Sequence, residues 1–444
     1  MKHSRGEGNS EGGASDGSSE GTGHGTPDGS GPGARLEPGG VMRPARLPAV
    51  DALRALALLG ILSVNVWYFV YPDLLQSGVR SAEVESGADQ LVRFVSTLLF
   101  EAKSYVVFSF LFGLSFVLAW ASASRTGHSV IRRSVRRFGA LIVLGVLHGM
   151  FLFAGDILLA YAILGFALLG MRRISTRWAL IIAVGVLLVW SGFTLVTGLA
   201  ASAVEGTDLW EESVVAGSDP EAARAAYTDG LGSYLGFQLA LYPSIAVNML
   251  FGQGPMAFAA FLIGLVVGRT QLIERVISGA IPTPKLLGWM LPALAVGLGL
   301  SGAAAVLLWG PPGSTEPAAA TAEHMMGAEL TAMGMLFLAG PIQAVGYVIL
   351  ALLIFRSAAA AVLVRVLAPA GRMSLTNYLG QSVVLAIIFS GLGFGLAGQV
   401  SPLGVGVVVL ALWVGQLGLS ALWGSRFTRG PVEAPVRAWT YAEA

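Results

Sequence analysis

The chain has 444 residues, of which 55% are apolar and only 12% charged, and its mean hydropathy is +0.71. A soluble domain carries about 25% charged residues, so this composition excludes a soluble enzyme and a disordered protein. It fits an all-α, polytopic transmembrane helix bundle, with the lipid bilayer as its first partner. The net charge is +1, and 27 Lys+Arg on so apolar a chain predict no nucleic-acid partner. With no cysteine, disulfides, thiolate metal sites, Fe–S clusters, c-type haem and a Cys nucleophile are excluded.

Residues 1–40 are Gly, Ser, Asp, Glu and Pro with almost no large apolar side chain. Such a segment cannot offset its ordering entropy by burial, so a disordered tail is expected. No apolar stretch follows Met1 closely enough for a cleaved signal peptide, and the first apolar helix, from near Ala49, is expected to be a retained span. About ten spans follow, over 50–70, 102–121, 137–153, 156–170, 178–200, 253–268, 286–309, 328–354, 374–393 and 403–424. Barrel strands would alternate apolar and polar residues, and these runs do not, so they are helices.

Basic residues sort to one set of connections: Arg43 and Arg46, then Arg125 to Arg137, Arg172 to Arg177, Arg269 to Lys285, Arg356 and Arg365, and Arg426 to Arg437. The other set carries a surplus of acids, such as Glu83, Glu85, Glu211 and Asp219. The positive-inside rule puts the first set and both termini in the cytoplasm. The same count makes 231–251, with Tyr234, Gln238, Tyr242, Pro243 and Asn248, an amphipathic or re-entrant segment on the outer face rather than a span. The chain then divides into 1–40, a five-span half at 41–200, an external region at 201–252 and a second five-span half at 253–444.

Polar groups inside spans are costly and have a partner or a task. Asp51 and Arg54 are i,i+3 and share a face, as an interfacial ion pair would, and Asn65 lies three turns on along the same stripe. His148 is the one histidine within a span; Gly145 and Gly149 flank it as a small-residue face for close helix approach. Asp156 follows a tight Ala-Gly turn, where it can cap the next helix or orient His148 as a general base. Glu101 and Lys103 read as a snorkelling pair at the outer boundary. Ser374, Asn377, Tyr378 and Gln381 are at i, i+3, i+4 and i+7, a polar stripe that cannot face lipid. It faces either a hydrogen-bonded seam or a wet cavity, to which Gln343, Tyr347 and Gln416 can contribute. No phosphate loop, nucleophile elbow or His-Glu-x-x-His motif is present, and no metal or resident cofactor is expected.

Several segments together resemble the YeiB family of bacterial membrane proteins, whose C-terminal half is the domain of unknown function 418. They are Asp51-Ala-Leu-Arg54 with Val64-Asn65, Phe108-Ser-Phe-Leu-Phe-Gly113, Leu147-His148-Gly149 with Gly155-Asp156, and Phe261-Leu-Ile-Gly264. Gly371-Arg-Met-Ser-Leu-Thr-Asn-Tyr-Leu-Gly-Gln-Ser382 and Gly430-Pro-Val-Glu433 with Arg437 complete the set. Ala55 stands where the family usually has Gly, which should alter packing only. The family's fold is similar to that of transmembrane acyltransferases acting on glucosamine and envelope glycans. That kinship implies a polar cavity where an acyl donor from one side meets an acceptor from the other. Relatives of the heparan type carry a histidine after the first-span asparagine; Val66 to Gln76 has none here, which moves the base to His148.

Three functions stay open on these residues. One is transfer of an acyl group from a cytoplasmic thioester, acyl-CoA, to an envelope glycan or small-molecule acceptor. His148 would be the base, Asp156 its orienter, and Arg54, Asn65, Asn377, Tyr378 and Gln381 would bind substrate. The second is a transporter or exporter whose pathway the polar stripes line; the inverted repeats that would favour it are not evident. The third is a structural membrane protein with no substrate.

Overall fold

The computed structural model describes residues 47–77, 86–125, 129–204, 220–313 and 325–442. The expected 1–40 tail lies outside the described residues, as do His3, His24, His128 and His324. Among the described residues the chain is helical without strands. A bilayer core offers no water to backbone groups, so each apolar run must satisfy its own N–H and C=O groups.

The helices of nine residues or more among the described residues are α1 (Pro48–Val70), α2 (Gly87–Leu99), α3 (Lys103–Arg125), α4 (Val130–Phe151), α5 (Leu158–Gly170), α6 (Thr176–Val204) and α7 (Pro220–Thr228). They continue with α8 (Leu231–Asn248), α9 (Gly254–Arg269), α10 (Thr283–Trp309), α11 (Met325–Phe355), α12 (Ala361–Arg372), α13 (Ser374–Phe389), α14 (Pro402–Arg426) and α15 (Glu433–Tyr441). All ten expected segments are helical. Eight helical stretches among the described residues are long and apolar enough to cross a membrane, nine if the bent pair α12–α13 counts as one span. The chain is a multi-pass membrane protein. At 13 and 16 residues, α5 and α13 rise only about 20–24 Å against a hydrocarbon core of about 30 Å. A 75° bend at Met373 sets α12 across α13.

Three local features differ from the sequence reading. Residues 231–251 form no separate surface segment: α8 runs through a π-helical turn at Met249–Gln253 into α9, one helical path of 39 residues. Tyr234, Gln238 and Tyr242 turn inward, where the end of α4 supplies partners, while Asn248 stays exposed. The Tyr234 hydroxyl donates to the Leu152 carbonyl at 2.9 Å, Gln238 donates to Tyr234 at 3.2 Å, and the Tyr242 ring fills the space over Gly149. Second, the stretch before α3 is a helix, α2, held by its Arg93 guanidinium between the Trp67 and Trp309 rings at 4.1 and 4.2 Å. Third, Lys103 does not snorkel: it is 1% exposed and donates to the Thr97 carbonyl at 2.8 Å, while Glu101 accepts from the Thr97 hydroxyl at 3.0 Å.

Two of the resembling motifs are mates in packing. Gly113 on α3 faces the Phe261 carbonyl of α9, and Gly264 on α9 faces the Phe110 carbonyl of α3. The two backbones therefore touch where neither residue has a side chain. Beside this contact Phe112 stacks on Phe261 at 4.6 Å, with the Tyr161 ring edge-on to Phe261 at 5.1 Å.

Orientation follows from the basic connections. Reporter fusions within 122–136 should read as cytoplasmic and within 201–232 as external. A cytoplasmic reading for the acidic 201–232 region would reverse the assignment of sides used below.

Candidate functional site

The α4–α5 hairpin builds the first part of the site. α4 ends at Phe151, and α5 starts at Leu158. The turn between them returns Asp156 to the side of α4, where Gly145 leaves room: a Cβ there would lie 2.7 Å from Asp156 Oδ2 and 2.5 Å from the Leu159 nitrogen. Asp156 Oδ2 accepts from the Leu159 N–H at 3.0 Å and caps α5, while Oδ1 is 2.9 Å from His148 Nδ1. The aspartate both caps α5 and contacts the His148 ring. His148 and Asp156 are 3% and 2% exposed.

A carboxylate facing Nδ1 favours the ring tautomer that carries its proton on that nitrogen. Among the described residues Nε2 is buried without a hydrogen-bond partner. The Tyr378 ring packs against the imidazole at 5.1 Å, and its hydroxyl lies beside Asp156 and the Ile157 backbone. His148, Asp156 and Tyr378 thus form one cluster assembled from α4, α5 and α13.

The other polar positions of α13 form a seam. Asn377 donates to the Ala370 carbonyl and the Ser420 hydroxyl, both at 3.0 Å. Gln381 donates to Gln416 Oε1 at 2.9 Å, and Gln416 donates to the Asn377 carbonyl at 2.9 Å. Asn377 and Gln381 are spent on tying α13 to α14 and line neither of the cavities described next. They are not brought into a common cavity with His148.

Two cavities meet at Tyr378. The larger, about 610 Å³, lies at the end of the bundle that carries the basic connections. Six arginines line it: Arg54, Arg133, Arg137, Arg372, Arg429 and Arg437. Arg54 is paired with Asp51 and donates to Ser115 at 2.7 Å. The Tyr441 ring stands between the guanidiniums of Arg133 and Arg437, at 4.4 and 4.2 Å. The smaller cavity, about 110 Å³, lies at the opposite, outer end and is lined by Asn65, Tyr68, Glu101, Ser104 and Tyr105 among others. Ile61, Ile157, Tyr161 and Tyr378 line both and form a thin wall between them. Neither His148 nor Asp156 lines either of these two cavities; the Tyr378 ring packs against the imidazole.

Sequence reasoning singled out the histidine, the aspartate, Tyr378, Asn65 and Arg54, but it read Arg133, Arg137 and Arg429 only as topological charge, Arg372 only as part of a resembling motif and Arg437 as both. A spacing signal was available: Arg133 and Arg137 are i,i+4 on α4 and share a face.

Glu433 positions the wall from below. Its carboxylate accepts from the Leu375 and Thr376 N–H groups at 2.8 and 3.0 Å and from the Thr376 hydroxyl at 2.5 Å, so it caps the start of α13 from another helix. Gly430 is required beside it, because a Cβ there would lie 2.1 Å from the carboxylate. Replacing Glu433 with Ala leaves two helix N–H groups unpaired and should cost about 2 kcal/mol. A melting curve in detergent checks this, with Glu433→Gln, which keeps one acceptor, falling between wild type and Ala.

Residues 288–443 match the family model described as "Protein of unknown function (DUF418)". The chain is 28% identical over 417 residues to the "Uncharacterized protein YxaH" of Bacillus subtilis, covering 89% of this chain and 94% of that one. It is 26% identical over 398 residues to the "Uncharacterized protein YeiB" of Escherichia coli, covering 86% and 93%. No solved structure matches it. Matched over nearly its whole membrane domain to YxaH and YeiB, and carrying the DUF418 region in α10 to α15, the chain is a YeiB-family DUF418 membrane protein.

Proposed function

We propose that the protein is an acyltransferase of the bacterial cytoplasmic membrane, moving an acyl group from acyl-CoA on the cytoplasmic side to a hydroxyl- or amine-bearing envelope acceptor. One observation carries the reading: a cavity at each end of the bundle, back to back across a wall one side chain thick, with a buried His–Asp pair behind that wall. The larger cavity falls within the roughly 300–1,000 Å³ of small-molecule sites, and the outer one is below it, so the outer space suits only the acceptor's reacting group.

The chemistry is a single exchange. The acceptor oxygen or nitrogen attacks the thioester carbonyl, its proton passes to His148 Nε2, the C–S bond breaks, and the proton returns to the thiolate. Asp156 holds the tautomer that leaves Nε2 basic. Because Tyr378 stands between His148 and the cavities, the reading requires its side chain to swing aside or its hydroxyl to relay the proton.

The test is acyl transfer by full-length protein in proteoliposomes supplied with radiolabelled acyl-CoA on the cytoplasmic face and envelope extract on the other. Label covalently attached to an extract component, with free CoA released in equal amount, is the expected result. An intact small molecule crossing the membrane with no acyl transfer would replace the reading with transport.

A further inference from the structure

We infer that the large cavity is a polyphosphate site: its ligand is recognised through two or more phosphoryl groups held by Arg137, Arg372, Arg429 and Arg437. The inference rests on the transfer reading only in calling that ligand the donor. Six guanidiniums line one cavity, and Glu433 is the one carboxylate among its lining residues. That carboxylate is committed to the start of α13, and Arg54 has Asp51. The remaining charge is not the scattered positive charge of a membrane rim. Arg137 lies against the Phe112 ring, 5.0 Å away, and close enough to Arg54 for the two to repel. Like charges gathered in a space with low-dielectric walls cost free energy until an anion offsets them.

Geometry selects the anion. Guanidinium forks match phosphate oxygens two at a time, a pairing a lone carboxylate satisfies only once. The arginines come from three separate places: Arg137 from α4, Arg372 from the α12–α13 corner, and Arg429 and Arg437 from the segment after α14. A monovalent anion would engage one of these, whereas a chain of phosphates bridges them. Arg437 also contacts Tyr441, whose ring already sits between two guanidiniums, so a flat aromatic group is accepted at the same edge. The same phosphate chemistry is offered by a soluble nucleotide-type carrier or by the diphosphate head of a lipid.

The experiment uses full-length protein in non-ionic detergent, followed by its tryptophan-reported melting, with inorganic tripolyphosphate as probe. Saturable stabilisation is expected, well above that from sodium sulfate at equal ionic strength. Arg137→Gln and Arg372→Gln should each weaken the apparent affinity at least tenfold, about 1.4 kcal/mol or more. Arg173→Gln, an exposed arginine outside the cavity, should leave it unchanged. If the variants of the two half-buried arginines fail to fold, the exposed Arg437→Gln carries the comparison and should weaken binding several-fold. Displacement by coenzyme A assigns the site to a soluble carrier, and displacement only by a short-chain polyprenyl diphosphate assigns it to a lipid; both support the inference. Stabilisation no greater than that of sulfate, or unchanged binding in folded cavity variants, overturns it. Acyl transfer persisting in variants that bind no tripolyphosphate would overturn the identification of the site's ligand as the donor and leave both the polyphosphate site and the transfer reading standing. Tripolyphosphate binding without acyl transfer would leave the polyphosphate site standing and end the transfer reading.

Discussion

Replacing His148 with Ala is expected to lower turnover by about 10²–10⁴-fold, the range for removing a general base, while most of the folded protein survives. The survival follows from the setting. Only one hydrogen bond, to Asp156, is lost, and Asp156 retains its bond to the Leu159 N–H, so the α5 cap persists. Asp156→Asn is the sharper probe. An amide can still accept from Leu159, but its NH₂ can turn to His148 Nδ1 and force the proton onto Nε2, which removes the base without removing a ring. A loss of turnover similar to that of His148→Ala, with an unchanged melting temperature, identifies the pair as catalytic. If His148 serves packing alone, stability and activity should fall together in His148→Ala, and Asp156→Asn should be close to silent. The measurements are initial rates against acyl-CoA and melting in the same detergent.

The second large effect concerns folding. Gly113→Val and Gly264→Val should each destabilise the bundle by about 3 kcal/mol or more, seen as lost accumulation and a lowered melting temperature. The added Cβ would lie 2.2 Å from the Phe261 carbonyl oxygen in the first and 2.1 Å from the Phe110 carbonyl oxygen in the second. Those are backbone atoms inside helices, which cannot rotate away as a side-chain tip can. The whole α3–α9 contact must open, and the Phe112–Phe261 stack with it. Even Ala at either position should be harmful. Gly139→Ala on α4 is the control, since a Cβ there meets nothing within 4 Å. Equal tolerance of all three substitutions would show that the α3–α9 contact is not tight.

What was legible in the sequence follows from what each signal encodes. Apolar length is a local property, so all ten expected segments could be read as helices, α5 among them although it is too short to cross by itself, whereas the first half of the 231–269 path was not read as a span. The His148–Asp156 pair was legible because eight residues across a tight turn return the chain to its own side. The stripe at Ser374, Asn377, Tyr378 and Gln381 was legible as polar, yet its fate was divided. Asn377 and Gln381 found partners at Gln416 and Ser420 on α14, while Tyr378, one residue along, turned to His148. Nothing in a helical repeat tells which neighbour a given side of the stripe will meet. The arginine cavity was hidden for a related reason. Its residues are separated by up to several hundred positions, and each alone has another account: a place among the basic residues that sort to the cytoplasm, an ion pair for Arg54, a resembling motif for Arg372. Segment 231–251 was read as an amphipathic or re-entrant segment because counting it as a span would have put Arg269, Arg275 and Lys285 outside; the charge count could not show that it continues into α9 as one helical path, with Tyr234 donating to the Leu152 carbonyl.

The wall of Ile61, Ile157, Tyr161 and Tyr378 also has an electrical meaning. A polar route through a membrane is a conductor unless something interrupts it, and each elementary charge crossing a potential of about 100 mV releases about 2.3 kcal/mol. A cell whose energy is stored in that potential cannot tolerate an open, arginine-lined path for anions. In the proposed transfer the four side chains act as an insulator between two cavities: a neutral group changes hands by exchange of bonds while no ion passes. Thinning that insulator, for instance with Tyr378→Ala, would be felt first as a fall in membrane voltage.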